Sequence, residues 1–283
     1  MGSEVPAARV REALEAATDA LAAAGVEAPR LDAELLLVEA TGWDRARIAA
    51  EPDAGVDPAA ARRFGEMVRR RASREPLAYI VGRRGFRRLE LAVDSRALIP
   101  RPETELLVEI ALELRPRTIL DVGTGSGAVA LALADELPDC EVVATDTSPS
   151  ALALAAENLE RLGVDGRVRL ERGTVPERGS FDLVVANLPY VRDDEWGALA
   201  PEITRFEPRE ALVAGAEGIE AIVATAPAAT AALAPGGSVA FEVGLGQAGT
   251  VAELLLDLGL RQVEGRPDLA GIPRVVLGRM DTG

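Results

Sequence analysis

An apolar run near the middle of the chain ends in four residues of very different chemistry. The stretch V-V-A-N-L-P-Y-V places Asn187, Leu188, Pro189 and Tyr190 in succession. One interpretation is a simple turn, because Pro cannot donate to a strand ladder and Asn tolerates turn geometry. The other is a pocket that holds a planar, nitrogen-bearing group while that group reacts.

A second stretch, D-V-G-T-G-S-G-A, follows a predicted strand and precedes a predicted helix. Here Gly123, Gly125 and Gly127 alternate with Thr124 and Ser126. Glycines at this spacing let the backbone turn sharply and let a ligand approach the main chain, with a helix N-terminus behind it. The dinucleotide pattern G-x-G-x-x-G requires a glycine at position 128, where this chain has alanine. The loop is closer to the G-x-G-x-G turn of adenosylmethionine sites.

A carboxylate stands where such a loop would use one. Asp146 ends the next predicted strand, about 20 residues beyond the loop, where a doubly wound fold places an acidic residue on the ribose hydroxyls. The alternative is that Asp146 caps the following helix. Thr147 or Ser148 can serve equally as that cap, which leaves Asp146 available to a ligand.

Strands and helices alternate from about residue 101 onward, and these elements must position the candidate residues. Strands are predicted at 118–122, 141–146, 167–171, 181–187, 238–244, 261–265 and 274–279. The alternation predicts an α/β fold with a doubly wound, mostly parallel, seven-stranded sheet. No helix separates the last two strands, so the sheet should close with an antiparallel strand. Because ligands bind beyond the carboxyl ends of such strands, the N-L-P-Y stretch and the glycine loop are expected at one site.

The first part of the chain has a different pattern. In residues 1–75, Ala, Leu and Val alternate with charges at helical spacing, and Gly25 and Gly42 stand where helices should end. The period changes toward two in L-A-Y-I-V-G-R-R-G-F-R-R-L-E-L-A-V, which predicts a hairpin. We therefore expect a small helical domain over 1–75, a hairpin linker over 76–100 and the α/β domain over 101–283.

Two missing residue types narrow the chemistry. The 283 residues contain no His and no Lys, so all 31 basic residues are Arg, and Cys140 is the single cysteine. This excludes Ser-His-Asp and Cys-His hydrolases, histidine-ligated metals, Schiff-base lysines and multi-cysteine metal clusters. Catalysis must use carboxylates, hydroxyls, amides or an already activated cofactor, and no metal is expected.

The charge balance and the hydropathy pattern bear on partners and location. A formal net charge of −15 opposes binding to a phosphate backbone, so no direct nucleic-acid partner is expected. The Arg-rich segments 62–71 and 83–88 form either a local basic face or ordinary solvated surfaces. The uncharged stretch 221–241 contains two prolines and a P-G-G turn, which predicts a buried helix, a turn and a strand. With no signal peptide, the protein is expected in the cytoplasm and away from membranes.

A series of motifs runs in order along almost the whole chain. They are R-E-P-L-A-Y-I (74–80), L-I-P-R-P-E-T-E (98–105), D-V-G-T-G-S-G (121–127), N-L-P-Y (187–190), F-E-P-R-E-A-L-V-A-G (206–215), F-E-V-G-L-G-Q (241–247) and D-L-A-G-I-P-R-V-V (268–276). Together they resemble the release factor glutamine methyltransferases. That family transfers a methyl group from S-adenosylmethionine to the glutamine side-chain nitrogen of the Gly-Gly-Gln motif in class I peptide-chain release factors.

The resemblance implies a cofactor, a partner and a role for each candidate residue. The cofactor is S-adenosylmethionine, its product is S-adenosylhomocysteine, and the protein substrate is a class I release factor. The loop 123–127 takes the methionine end, Asp146 the ribose, and Thr174 and Val175 lie near the adenine. Residues 187–190 form the glutamine pocket, with Asn187 also beside the cofactor.

Within that pocket, the resemblance assigns orientation of the substrate amide as the main catalytic task. The Asn187 side-chain oxygen and the Leu188 carbonyl accept hydrogen bonds from the two amide N–H groups, and Tyr190 packs on the amide plane. Both hydrogen bonds strengthen as the nitrogen attacks, which favours the transition state.

Two positions depart from the family pattern. Leu188 replaces the first proline of the usual Asn-Pro-Pro-Tyr, which keeps the carbonyl but loses the fixed φ. Thr174 stands where the family tends to have an acidic residue beside the adenine. The segment 98–105 has two interpretations, a good helix start and a cover over the cofactor.

Three alternative functions are consistent with the same pocket. They are glutamine methylation of a ribosomal protein, DNA adenine-N6 methylation of a flipped base, and a catalytically silent adenosylmethionine-binding scaffold.

Overall fold

The computed structural model describes residues 9–164, 166–177 and 179–282. Its helices are α1 (Val10–Ala23), α2 (Pro29–Thr41), α3 (Arg45–Ala50), α4 (Pro58–Ala72), α5 (Leu77–Val81), α6 (Glu105–Leu114), α7 (Ala128–Glu136), α8 (Pro149–Leu162), α9 (Pro201–Phe206), α10 (Glu220–Ala231) and α11 (Ala248–Asp257). Its strands are β1 (Arg83–Phe86), β2 (Leu89–Ala92), β3 (Thr118–Val122), β4 (Glu141–Asp146), β5 (Val168–Arg172), β6 (Phe181–Ala186), β7 (Val191–Arg192), β8 (Val213–Gly215), β9 (Leu233–Glu242), β10 (Arg261–Pro267) and β11 (Pro273–Arg279).

The described residues form two compact units. The first consists of the described residues up to Gly82 together with Ala200–Phe206, and the second contains the remaining described residues. No helix in the described part of the chain is long and apolar enough to cross a lipid bilayer. The uncharged stretch 221–241 falls within α10 and β9.

The first unit is a helical bundle around an apolar core. Leu14, Leu21, Leu36 and Phe64 are buried in that core on α1, α2 and α4. Helix α4 begins where the Asp57 side chain accepts hydrogen bonds from two backbone N–H groups of the first turn, which satisfies donors that have no partner inside the helix.

An ion-pair cluster joins α9 to this bundle. The Arg71 guanidinium contacts Asp32 at 2.7 Å and Glu202 at 2.9 Å, and the Arg71 side chain is only 8% exposed. Arg74 adds a second contact to Glu202 at 2.6 Å. Since Glu202 lies far along the chain from the other three residues, this cluster fixes a late segment onto the early helices.

The predicted hairpin is shorter than the sequence pattern indicated. Strands β1 and β2 pair antiparallel, but Leu77–Val81, which the pattern included in the hairpin, form the short helix α5. That helix begins after Pro76 and ends at Gly82, whose φ of +77° suits a helix C-cap. These two residues stop the helix on both sides, so its five residues carry too little periodicity to be distinguished from a strand.

The second unit contains the predicted seven-stranded sheet, with strand order β10-β11-β9-β6-β3-β4-β5. Strands β3, β4, β5, β6 and β9 run parallel, and β11 pairs antiparallel with both β9 and β10. The doubly wound, mostly parallel fold with an antiparallel closure is therefore confirmed.

Apolar side chains cover both faces of this sheet. Along β3, Ile119 packs with the helices α6 and α7, while Leu120 packs into the cluster that includes α10 and α11 residues. Adjacent residues of a strand point to opposite faces of the sheet. Because helices cover both faces, nearly every position of a parallel strand is buried and apolar.

One predicted turn is part of a strand. The P-G-G stretch at 235–237 lies inside β9, where Phe181 pairs with Leu233 but Leu183 pairs with Ser238. The extra residues of β9 are taken up as a bulge between these two pairs. Glycine and proline occur at bulges as well as at turns, so the sequence pattern predicted a turn where the structure has a bulge.

The strand order places three candidate segments at one edge of the sheet. The chain leaves β3 for β4 on one side, whereas β6 lies on the other side of β3. The loops after β3 and β6 and the end of β4 therefore meet at the carboxyl ends of adjacent parallel strands, which is the topological switch point of this fold.

Candidate active site

A pocket of about 320 Å³ lies at this edge, a size in the range of small-molecule sites, which are about 300–1,000 Å³. Most of the residues predicted from the sequence line it, namely Gly123, Thr124, Gly125, Ser126, Asp146, Thr174, Asn187, Leu188 and Pro189. Three predicted residues are not part of its wall, namely Gly127, Val175 and Tyr190.

The glycine loop adopts a conformation that favours glycine. Gly123, Gly125 and Gly127 have φ values of +76°, +57° and +85°, and L side chains rarely adopt such values. A Cβ on Gly123 would lie 3.2 Å from the Leu188 side chain, and one on Gly127 would lie 2.9 Å from that of Leu131. Gly123 thus lets the N-L-P-Y stretch approach the loop, whereas Gly127 allows α7 to pack behind it.

Asp146 holds this loop from the end of β4. Its Oδ2 accepts a hydrogen bond from the Gly125 N–H at 2.9 Å, and its Oδ1 accepts one from the Ser148 N–H at 2.8 Å. The cap of α8 is Ser148, whose hydroxyl accepts from the Ala151 N–H. A carboxylate oxygen can accept two hydrogen bonds, and each oxygen of Asp146 accepts one within the protein. Asp146 therefore retains acceptor capacity toward the pocket that it lines.

A second, deeper carboxyl supports the same loop. Asp121 is 2% exposed, and its Oδ2 accepts from the Thr124 hydroxyl at 2.7 Å and from the Ala130 N–H at 3.2 Å. Burial raises the pKa of Asp121 to about 6, the hydrogen bonds oppose that change, and the nearby Asp146 carboxylate adds to it. The loop is therefore tied to two carboxyl groups of different depth.

The N-L-P-Y stretch is held by side chains from distant segments. The Asn187 Nδ2 donates to the Thr104 hydroxyl at 3.0 Å, and the Tyr190 hydroxyl donates to Glu242 Oε1 at 3.4 Å. No donor in the described part of the chain reaches the Leu188 carbonyl oxygen. The Nδ2 of Asn187 is thus engaged by Thr104, whereas the Leu188 carbonyl has acceptor capacity to spare.

The Gln247 side chain supports the same stretch by binding the backbone of Tyr190. Its Nε2 donates to the Tyr190 carbonyl at 2.9 Å and to the Gly218 carbonyl at 3.1 Å, while its Oε1 accepts from the Gly244 N–H at 2.8 Å. A Cβ on Gly244 would lie 2.9 Å from the Gln247 side chain. The F-E-V-G-L-G-Q motif therefore holds Tyr190 from two sides, through Glu242 and through Gln247.

Glu207 positions the segment 98–105 at the pocket wall. It is 6% exposed, accepts a hydrogen bond from the Ile99 N–H at 3.0 Å and forms an ion pair with Arg101. A 3-10 turn over Pro102–Thr104 then leads into α6, and Thr104 lines the pocket. The segment is thus both a helix start and part of the pocket.

The residues that line this pocket fit S-adenosylmethionine. Its wall combines the glycine loop, the Asp146 carboxylate, apolar side chains and the amide of Asn187. Such a wall suits a ligand with hydroxyl groups, a flat aromatic ring and a charged amino acid end. Among the described residues, no group of three or more His, Cys, Asp or Glu side chains is placed to hold a metal ion.

Comparison with known proteins gives matches over most of the chain. A family model described as PrmC N-terminal domain matches residues 12–82, and one described as methyltransferase domain matches residues 119–206. A release factor glutamine methyltransferase from Cereibacter sphaeroides is 43% identical over 276 residues, which cover 96% of this chain and 99% of that protein. One from Geobacter sulfurreducens is 41% identical over 276 residues, with 96% of each chain covered. This chain belongs to the release factor glutamine methyltransferase family.

The fold has solved relatives as well. A methyltransferase structure from Pyrococcus furiosus aligns with a TM-score of 0.52 at 21% identity and covers 68% of this chain and 89% of that one. This likeness concerns the fold alone. Membership of the family makes the chain an S-adenosylmethionine-dependent methyltransferase, so the predicted enzyme class and cofactor are confirmed.

Several residues that build the site had no assigned role in the sequence analysis. They are Thr104, Asp121, Glu207, Glu242 and Gln247. Each lies inside a motif that the resemblance is based on. A buried polar residue within an otherwise apolar strand end, such as the Glu in F-E-V-G, was the signal that could have identified them.

Proposed function

We propose that this enzyme transfers the methyl group of S-adenosylmethionine to the side-chain nitrogen of the glutamine in the Gly-Gly-Gln motif of class I peptide-chain release factors. The proposal extends what the related proteins are named for to this chain and adds the acceptor atom. The reaction would take place in the cytoplasm, where translation terminates.

The orientation of Asn187 is the observation that carries the proposal. Its amide nitrogen is engaged by Thr104, so its oxygen is left to accept a hydrogen bond in the pocket. The Leu188 carbonyl is a second acceptor next to it. Two acceptors side by side match the two N–H groups of a primary carboxamide.

The main task of the protein in this reaction is to orient the substrate amide. When bound, S-adenosylmethionine supplies a methyl group on a sulfonium, which is a good leaving group. A carboxamide nitrogen is a poor nucleophile because its lone pair is delocalised into the carbonyl. Asn187 and Leu188 hold the two N–H groups so that the nitrogen faces the methyl group, and these bonds strengthen as the hydrogens become more acidic. The surplus proton leaves to water after transfer.

Tyr190 has a supporting place in this scheme. Its hydroxyl contacts Glu242 and its backbone carbonyl contacts Gln247, so its position is fixed from both ends. We assign its ring to the closing of the amide pocket. Asp146 takes the ribose hydroxyls, and Thr174 lies beside the adenine.

We further propose that residues 1–75 dock the protein substrate and take no part in methyl transfer. The helical unit has its own apolar core, and the residues that line the pocket all belong to the other unit. A separate binding surface lets the enzyme recognise a whole folded factor rather than a short peptide.

The test is methyl transfer from radiolabelled S-adenosylmethionine to purified release factor. Asn187→Ala removes one acceptor and should lower kcat by about 10²–10³-fold, the typical loss for one hydrogen-bond partner of a transition state. Leu188→Pro is the matched control, because it keeps the carbonyl and restores the usual family residue. We expect it to be neutral or mildly activating.

Substrate panels decide between the alternatives. A release factor whose Gly-Gly-Gln glutamine is replaced should accept no label. Labelling of a ribosomal protein or of DNA in place of the release factor would refute the proposed substrate. Near-normal turnover by Asn187→Ala would show that N-L-P-Y is a turn and not the amide pocket.

A further inference from the structure

A buried carboxyl group lies directly behind the N-L-P-Y stretch. Glu242, at the end of β9, is 1% exposed. Its Oε1 accepts from the Tyr190 hydroxyl, but no donor in the described residues completes a hydrogen bond to its Oε2. Burying a carboxylate without full pairing is costly, so this residue needs an explanation beyond packing.

The Thr104 hydroxyl lies between this carboxyl and Asn187. It accepts a hydrogen bond from the Asn187 Nδ2 at 3.0 Å. Its interaction with the Glu242 carboxyl lowers the pKa of that group, as a hydroxyl does when its proton is turned toward a carboxylate. A hydroxyl has a single proton. When Thr104 uses that proton in a hydrogen bond to the carboxylate, its oxygen can only accept a hydrogen bond from Asn187.

We infer that Glu242 and Thr104 are positioning residues that set which end of the Asn187 amide faces the substrate. The carboxylate orients the hydroxyl, and the hydroxyl holds the Asn187 nitrogen so that the oxygen points to the pocket. The inference rests on the proposed function, in which that oxygen accepts a hydrogen bond from the substrate amide. A reversed Asn187 amide would present N–H groups to N–H groups.

The charge state of Glu242 sets the conditions of the test. Burial raises its pKa to about 7, and the Glu103 carboxylate adds to this, whereas the hydroxyls of Thr104 and Tyr190 and the Arg274 charge lower the pKa. At about pH 8.5 the group is therefore ionised and can only accept hydrogen bonds. Kinetic measurements belong at that pH.

The first test removes the hydroxyl. Thr104→Val has nearly the shape of Thr but no acceptor for Asn187, so the amide is free to turn. We expect kcat to fall by about 10- to 100-fold, as for other supporting hydrogen bonds behind a site, with the Kd for S-adenosylmethionine changed less than about twofold. Thr104→Ser replaces the hydroxyl and should recover most of the kcat that Thr104→Val loses.

The second test reverses the direction of the hydrogen bonds. In Glu242→Gln the new amide can donate to Thr104, whose proton then turns toward the Asn187 oxygen. We expect a similar loss of kcat with unchanged cofactor binding. In the double variant Thr104→Val/Glu242→Gln the loss should be no larger than in Thr104→Val alone, because both substitutions break one chain of contacts.

Two results would overturn the inference: wild-type kcat in Thr104→Val, or losses that multiply in the double variant. Should Thr104→Val fail to fold, Glu242→Leu decides by itself, because leucine offers Thr104 no hydrogen-bond partner: retained kcat contradicts the inference, and lost kcat with intact cofactor binding supports it. Asn187→Ala separates this from the proposed function. If Asn187→Ala has near-normal turnover, the proposed amide pocket is wrong. If Asn187→Ala loses turnover but Thr104→Val does not, the amide pocket stands and only the positioning role of Thr104 is wrong.

Discussion

Asp121 beneath the glycine loop should make the stability of this enzyme fall as the pH rises. Burial raises its pKa from an ordinary value of 3.8 to about 6 in the folded protein. A carboxyl group with a raised folded pKa stabilises the fold fully below its unfolded pKa and loses that contribution as the pH rises through the folded pKa. The relevant window therefore extends from about pH 4 to above pH 6.

The size of the effect follows from the two pKa values. At about 1.36 kcal/mol per unit of pKa, the change from 3.8 to about 6 corresponds to about 3 kcal/mol in total. About half of this, roughly 1–2 kcal/mol, is lost between about pH 5 and pH 8, a range that avoids the sequence pI of 4.6. In Asp121→Asn the amide oxygen still accepts from Thr124 and Ala130 but carries no charge.

The assay is denaturant unfolding of both proteins across this range. The free energy of unfolding of Asp121→Asn, minus that of the wild type, should increase by roughly 1–2 kcal/mol from about pH 5 to pH 8. Asp257→Asn, on the exposed end of α11, is the matched control for the lost charge. A difference between Asp121→Asn and wild type that stays constant, or that decreases with pH, would refute the reasoning.

Three further predictions follow from other parts of the molecule. Asp146→Ala should weaken S-adenosylmethionine binding by roughly 10- to 150-fold in calorimetry, and unchanged affinity would move the ribose site elsewhere. Arg71→Ala should lower the free energy of unfolding by about 3–5 kcal/mol, because it leaves the buried Asp32 carboxylate without its ion-pair partner, although Glu202 keeps its contact with Arg74. Arg30→Ala, which breaks an exposed pair, should cost less than about 1 kcal/mol. Charge reversal of Arg62 and Arg69 on the exposed face of α4 should lower kcat/KM for an intact release factor but not for a short Gly-Gly-Gln peptide, and equal effects on both would contradict a docking role for the helices.

The sequence alone was enough to predict the sheet and the edge at which the candidate site lies. The bounds of β3 and β4 agree with prediction to the residue, because parallel strands buried on both faces are short apolar runs with polar residues at each end. Once the order of strands and helices was known, the carboxyl-edge rule placed the glycine loop, Asp146 and N-L-P-Y together without any coordinates.

Local ambiguities were resolved only by tertiary packing. The helix at Leu77–Val81 and the bulge at 235–237 have the same local composition as a strand and a turn. The parallel pair β7 and β8 consists of very short strands, below the length at which alternation can be recognised.

The contacts that hold Asn187 also had no signature in the sequence. Thr104, Asn187 and Glu242 come from three segments that are far apart along the chain, and nothing in their motifs pairs one of them with another. Their meeting depends on β6 and β9 being neighbours and on the side-chain orientation of each residue. Periodicity reports which face of an element is buried, but hydrogen bonds between such distant side chains are set by how the elements pack, so only the folded structure could reveal them.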